Sequence, residues 1–410
     1  MSSNITICFV ILLVIYSIPY PSFSSFLAPI VKDHTKHHHT LKLSLQNPPQ
    51  PKQLLLDLGG TLSWVDCTTT SHFITCNSSI CHALSSSQGP ICTSNNCNIQ
   101  STNSLTKKPF VVKVLVDSLE LPLTDGRNPG QLKEVNEFVL SCSDRGILKK
   151  LPKNAAGLAG LSRSNLSLMA QVSKRFALPK VFALCLSGSV SAQGVGFFGT
   201  RGPYFFLPEI DLSKYLNYTP LLSISSNQYL INVTSIKVNG KPLQLNQTSL
   251  TVDQNGAQLS TTSPYTVLHT EIFEALIDLF ERESAVLDLT IRPPVEPFGL
   301  CYNADDLLMT RTGPAVPTVD LVLGHDDVFW RIFGVNSMVR ILRRDVDAWC
   351  LGFVDGGDEP TYSIVIGGHQ MEDNLLQFDL QTQRLGFTSS VLVHNTMCAN
   401  FNFTTNINVS

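Results

Sequence analysis

The sequence predicts a mainly β chain folded as two lobes of one design, with a few short helices. Two observations predict it. First, helical periodicity is scarce, while short β-rich runs such as KPFVVKVLVDSLEL (108–121), QYLINVTSIKVNGKPLQL (228–245) and PTVDLVLG (317–324) alternate with Gly, Pro, Asn and Ser turns. Second, two kinds of segment occur once in each half. LLLDLGGTLSWV (54–65) is echoed by AQLSTTSPYTVL (257–268), and AAGLAGLS (155–162) by SIVIGGHQ (363–370). In each pair an apolar strand runs into a small-residue turn, in the same order, which implies a duplicated unit. At 410 residues the chain is also long for one core. The lobes are expected at 25–207 and 208–410, the change falling within 203–215.

Residues 1–24 read as a secretory signal segment. ITICFVILLVI (5–15) is an apolar run too short for a membrane span, which needs about 20 residues, and small residues follow near 24–25. The MSSN start lacks the usual Lys or Arg. His34, His37, His38 and His39 (KDHTKHHH) have no regular ligand spacing and are read as a solvated segment; no metal site is expected. Without Cys8, ten cysteines remain. They contain no CxxC pair, so disulfides in an oxidising compartment are expected rather than zinc. Sequons at Asn77, Asn165, Asn217, Asn232, Asn246 and Asn402 predict glycosylation; Asn408 lies too near the end to count. Helices are predicted at 166–176 and 270–283, the latter with Ile272, Leu276, Leu279 and Phe280 on one face.

Charge is low and nearly balanced, net −3 with 15% charged residues, so a nucleic-acid partner is excluded. No nucleotide-binding glycine loop is present and no cofactor is implied. Ser162 and Ser337 sit in no nucleophile elbow.

Asp57-Leu58-Gly59-Gly60 followed by Trp64-Val65 resembles the Asp-Thr-Gly loop of a pepsin-like aspartic protease, a mainly β, bilobal fold. More narrowly, the chain resembles a plant subfamily of secreted pepsin-like proteins: the extracellular dermal glycoproteins, basic 7S globulin, the xyloglucan-specific endoglucanase inhibitors and the cereal xylanase inhibitors. The blocks that carry this include LDLGG…WVDC (56–67), AGLAGLSRSNLSL (156–168), LSTTSPYTVLHTEIFEAL (259–276), CLGFVDGG (350–357) and IVIGGHQMEDNLLQFDLQTQRLGF (364–387).

Aspartic proteolysis needs two carboxylates sharing one proton. Asp57 is one candidate. Ser260 stands where the second would be, Thr262 where a glycine would be, and Leu58 replaces the Thr that braces the loops. The region expected to form the flap, 108–126, has no Tyr. Asp253 and Asp320 sit in no small-residue turn. The chain is therefore expected not to be a peptidase, with Asp57 a structural residue bonded to loop amides.

The resemblance implies instead that the chain binds and inhibits a secreted microbial glycoside hydrolase, most plausibly a xyloglucan-specific endoglucanase, as a monomer. Second-lobe loops would enter the enzyme's cleft, where an Arg fork matches paired catalytic carboxylates. Arg311, before GPAVP, holds the place of one inhibitory Arg. Asn395, beside His394, holds the place of another, which keeps hydrogen bonding but loses charge. A receptor-like or storage protein using the old cleft for a peptide or wall ligand is the rival reading. The family pattern also implies Cys67–Cys142, Cys185–Cys398 and Cys301–Cys350, with two bridges left open among Cys76, Cys81, Cys92 and Cys97.

Overall fold

A computed structural model describes residues 25–46, 48–67, 73–84, 91–143, 150–223, 227–245, 256–324 and 327–406. Residues 1–24, read above as a signal segment, and Asn246, Asn408 and Asp253 lie outside the described residues. Strands dominate, and the α-helices are short except for Thr270–Ser284. That helix buries Ile272, Leu276, Leu279 and Phe280, the stripe visible in its sequence. The helix predicted from 166 begins at Leu168, because the Ser167 hydroxyl accepts from the Ala170 amide and caps it there.

The duplication is visible in the strand pairings. Strand Gln50–Asp57 runs parallel to Gly157–Gly160, which lies antiparallel to Trp64–Asp66. In the second half Ala257–Leu259 runs parallel to Ile364–Ile366, which lies antiparallel to Thr266–Leu268. A further parallel strand flanks each unit: Pro129–Ser143 beside Trp64–Asp66, and Phe353–Asp355 beside Thr266–Leu268. The glycines of the echoed segments are where backbones meet. A Cβ on Gly157 would lie 2.0 Å from the Trp64 carbonyl oxygen, and one on Gly367 within 2.3 Å of the Tyr265 carbonyl.

The two halves share a sheet. Val181–Cys185 pairs antiparallel with Leu375–Asp379, and three strands extend outward on each side of the structure's centre, Val181–Cys185, Gly194–Phe198 and Ser25–Lys32 on one and Leu375–Asp379, Arg384–Phe387 and Asn217–Pro220 on the other. Phe182 and Phe378, directly opposite across this seam, stack with centroids 4.6 Å apart.

Among the described residues five disulfides close the fold: Cys67–Cys142, Cys185–Cys398 and Cys301–Cys350, with Cys76–Cys92 and Cys81–Cys97 in the N-terminal cluster. No described helix is long and apolar enough to cross a membrane.

The histidine reading needs correction. His34 is exposed, but His38 and His39 are buried, because the chain turns at 33–38 and His39 opens a strand paired with Lys32. His39 then lies against Glu372, 3.4 Å away and more than three hundred positions along the chain. Lys32 donates to the same carboxylate at 2.8 Å, and His369 approaches it at 3.5 Å. Burial alone would raise Glu372, but the His369 hydrogen bond and the Lys32 ammonium outweigh it and hold the carboxyl near 2. Burial pushes His39 down to about 4, against the pull of Glu372.

Candidate functional site

Asp57 ends its strand at the floor of a cavity of about 500 Å³ and is only 2% exposed. Its Oδ1 accepts from the Gly59 amide at 2.8 Å, and its Oδ2 accepts from the Ser104 hydroxyl. Burial raises its pKa, opposed by the Ser104 and Gly59 hydrogen bonds and by the nearby Lys107. Asp57 is the only carboxylate among the described residues lining this cavity.

Ser104 belongs to the turn between strands Asn96–Thr102 and Pro109–Thr124, whose tip Asn103 holds by accepting from the Leu105 and Thr106 amides. This corrects the expected flap. The hairpin over Asp57 has its tip at 103–108, and the body of 108–126 is a long strand paired with Pro129–Ser143.

Ser260 follows strand Ala257–Leu259, its amide donating to the Ile366 carbonyl at 2.9 Å and its hydroxyl 3.2 Å from that of Thr262. Thr261 was not singled out by sequence reasoning, yet it ties the loops together. Its hydroxyl donates to the Leu56 carbonyl at 2.6 Å and accepts from the Leu58 amide at 3.2 Å. With Leu58 lacking a hydroxyl, the brace runs from the second half only. The signal was available: Thr261 occupies the echo of Leu58 in the duplicated segment. Asp320, the other acid considered, forms a two-pronged ion pair with Arg331 at 2.7 and 2.8 Å, remote in role from any dyad.

The second region of interest is assembled from distant segments. Arg311 sits exposed at the turn between strands Met309–Thr310 and Gly313–Pro314. Gly313 anchors that turn: its φ is +94°, and a Cβ there would lie 2.2 Å from the Val335 nitrogen, while Thr312 accepts from that same amide at 2.7 Å. Arg311 and Asn395 line one concavity of about 290 Å³ with Leu392, Thr396, Met397 and Asn400. His394 ends a 3₁₀ turn, and its ring stacks on Tyr215 at 3.8 Å, which turns it aside from that concavity's lining; burial lowers its pKa. Asn395 takes a left-handed conformation, φ 60° and ψ 29°, which Asn tolerates better than most residues. Exposed Leu308, Met309, Val393 and Met397 accompany these positions. Of the sequons, Asn77, Asn165 and Asn217 are exposed, and Asn232 and Asn402 are half-buried.

Two matching strand units, the first ending in Asp57 beneath a hairpin and the second tied to it through Thr261, define a pepsin-like protein. Comparison with known proteins narrows this. The family described as xylanase inhibitor N-terminal matches residues 39–200, and that described as xylanase inhibitor C-terminal matches 228–389. The chain belongs to this xylanase-inhibitor-type family of aspartic-protease homologues. It is similar to the probable aspartic proteinase GIP1 of Glycine max, 44% identical over 97% of this chain and 95% of that protein. It is also similar to gamma conglutin 1 of Prunus dulcis, 38% identical over 92% of this chain and 89% of that one. A crystal structure of edgp superposes with TM-score 0.86 at 38% identity, covering 93% of this chain and 98% of the other.

Proposed function

We propose that the protein is a secreted, catalytically inactive pepsin homologue that inhibits a microbial glycoside hydrolase, a xyloglucan-specific endoglucanase above others, as a monomer in plant defence. The observation that carries this is the convergence of Arg311 and Asn395 on one exposed concavity. An Arg on a rigid turn, ringed by exposed Leu308, Met309 and Met397, is the kind of anchor that binds a cleft holding paired carboxylates. The xylanase-inhibitor description of the matching families supports the same class of partner.

Peptide cleavage is not part of this reading, although two relatives bear a proteinase name. In this reading Ser260 stands for the second aspartate; the duplicated pattern supports it, Leu56-Asp57 closing strand Gln50–Asp57 and Leu259-Ser260 lying at the end of strand Ala257–Leu259. A hydroxyl cannot share a proton with Asp57 as a second carboxylate would. The disulfides and the sequons suit the secretory route.

The experiment is a titration of the protein against purified xyloglucanases, endoglucanases and xylanases, beside an Arg311→Ala variant. Inhibition weakened at least about thirtyfold in the variant is expected, since a buried interfacial charge contact is worth roughly 2–5 kcal/mol. Equal inhibition by both proteins, or none by either, overturns the reading.

A further inference from the structure

We propose that the cavity at Asp57 is a binding pocket for a neutral polyhydroxyl ligand, one or two sugar units at a glycan chain end, and not a channel for extended polypeptide. At about 500 Å³ it falls within the range of small-molecule sites. Its shape departs from a through-running cleft. An ideal Cβ on Gly59 would lie 2.7 Å from the Gln228 side-chain oxygen, so Gln228 from the second half lies across the loop. Gln258, on the strand leading to Ser260, holds Gln228 there with a 2.8 Å hydrogen bond. Ser104 closes onto Asp57 from the hairpin above. A peptide strand passing Asp57 toward Ser260 would meet Gln228 and Ser104, whereas a compact group could lodge on the near side.

The chemistry of the walls selects the ligand. Thr61, Gln100, Ser101, Thr102, Ser164 and Asn227 offer uncharged groups, most able both to donate and to accept, as hydroxyl recognition requires. Asp57 is already matched by the Gly59 amide, the Ser104 hydroxyl and the neighbouring Lys107, so the pocket does not demand a cation. The half-buried Ile99 and Leu166 supply apolar surface against which the C–H face of a sugar packs.

This site is separate from the Arg311 concavity and stands or falls without it. The test is saturation-transfer NMR on the unmodified protein with cellobiose and xylobiose, and with pepstatin as the peptide probe. Transfer to at least one disaccharide and none to pepstatin is expected. Thr61→Trp, at an exposed position on the mouth, should weaken disaccharide binding at least about tenfold, the loss expected when pocket hydrogen bonds are blocked, while Arg311→Ala leaves it unchanged. No transfer to either disaccharide at millimolar concentration, transfer to pepstatin instead, or transfer that Thr61→Trp leaves intact overturns the proposal. Loss of enzyme inhibition with sugar binding intact would bear on the inhibitor reading alone.

Discussion

Thr261 shows how much one hydroxyl carries. It is 1% exposed and satisfies two backbone groups of the opposite loop, the Leu56 carbonyl and the Leu58 amide. Thr261→Val keeps the shape and leaves both groups buried without partners. A loss of about 1–3 kcal/mol in unfolding free energy is expected, readable as a lower denaturation midpoint at unchanged slope. Asn395 poses the opposite question. Its left-handed backbone suits Asn, and placing Arg there costs about 1–2 kcal/mol of backbone strain. Asn395→Arg would nevertheless put a second cation on the Arg311 concavity. If the face is inhibitory, the variant should inhibit its target enzyme more tightly, by about tenfold, despite a slightly lower melting temperature; unchanged inhibition would detach Asn395 from the interface.

Between the elements, the cluster around Glu372 joins strands of the first half to a short helix of the second. Lys32, His37, His39, His369 and Asp373 all face or flank it. The signs differ and can be worked through. His38 and His39 are each lowered to about 4 by burial, so their stabilising contribution is complete above 6.5 and is lost as pH falls toward 4. Burial raises Asp373 to about 6, opposed by the Cys398 amide, so its contribution runs the other way and is lost as pH rises through 6. Two histidines outweigh one aspartate over this interval. Glu372, held near 2, adds a further loss as pH falls from 4.5. Melting temperature should therefore decline from pH 6.5 to 4 and again below. His39→Gln should flatten the upper part of that decline, and a profile as steep as the parent's would discount His39 as its source.

Across the molecule, the seam between halves rests on the pairing of Val181–Cys185 with Leu375–Asp379, and Cys185–Cys398 fastens the C-terminal segment beside it. That bridge spans 213 positions, so its effect on the unfolded chain is large. Replacing both cysteines with serine should cost about 4–5 kcal/mol, measured by chemical denaturation of the oxidised protein. Replacing Cys76 and Cys92, which are only 16 positions apart, should cost about 3 kcal/mol by the same reasoning. A reversed order would mean that local packing, and not loop closure, sets the effect.

What the sequence determined by itself is local or repeated: the β-rich alternation, the amphipathic stripe of Thr270–Ser284, and the duplicated strand-and-turn segments that specify two units of one plan. These are legible because periodicity and small residues act over a few positions. What only the tertiary structure decided depends on residues far apart meeting. The run KDHTKHHH looked solvated because nothing nearby could bury it, and Glu372 arrives from the other end of the chain. The hairpin tip over Asp57 was misplaced by a few residues because strand register, not composition, sets where a hairpin turns. The pairing inside the Cys76–Cys97 cluster, the Thr261 brace and the meeting of Arg311 with Asn395 have the same cause. The Thr261 brace joins the two halves, the cysteine pairing lies within the first and the meeting of Arg311 with Asn395 within the second; each depends on residues apart in sequence coming together, which no single segment encodes.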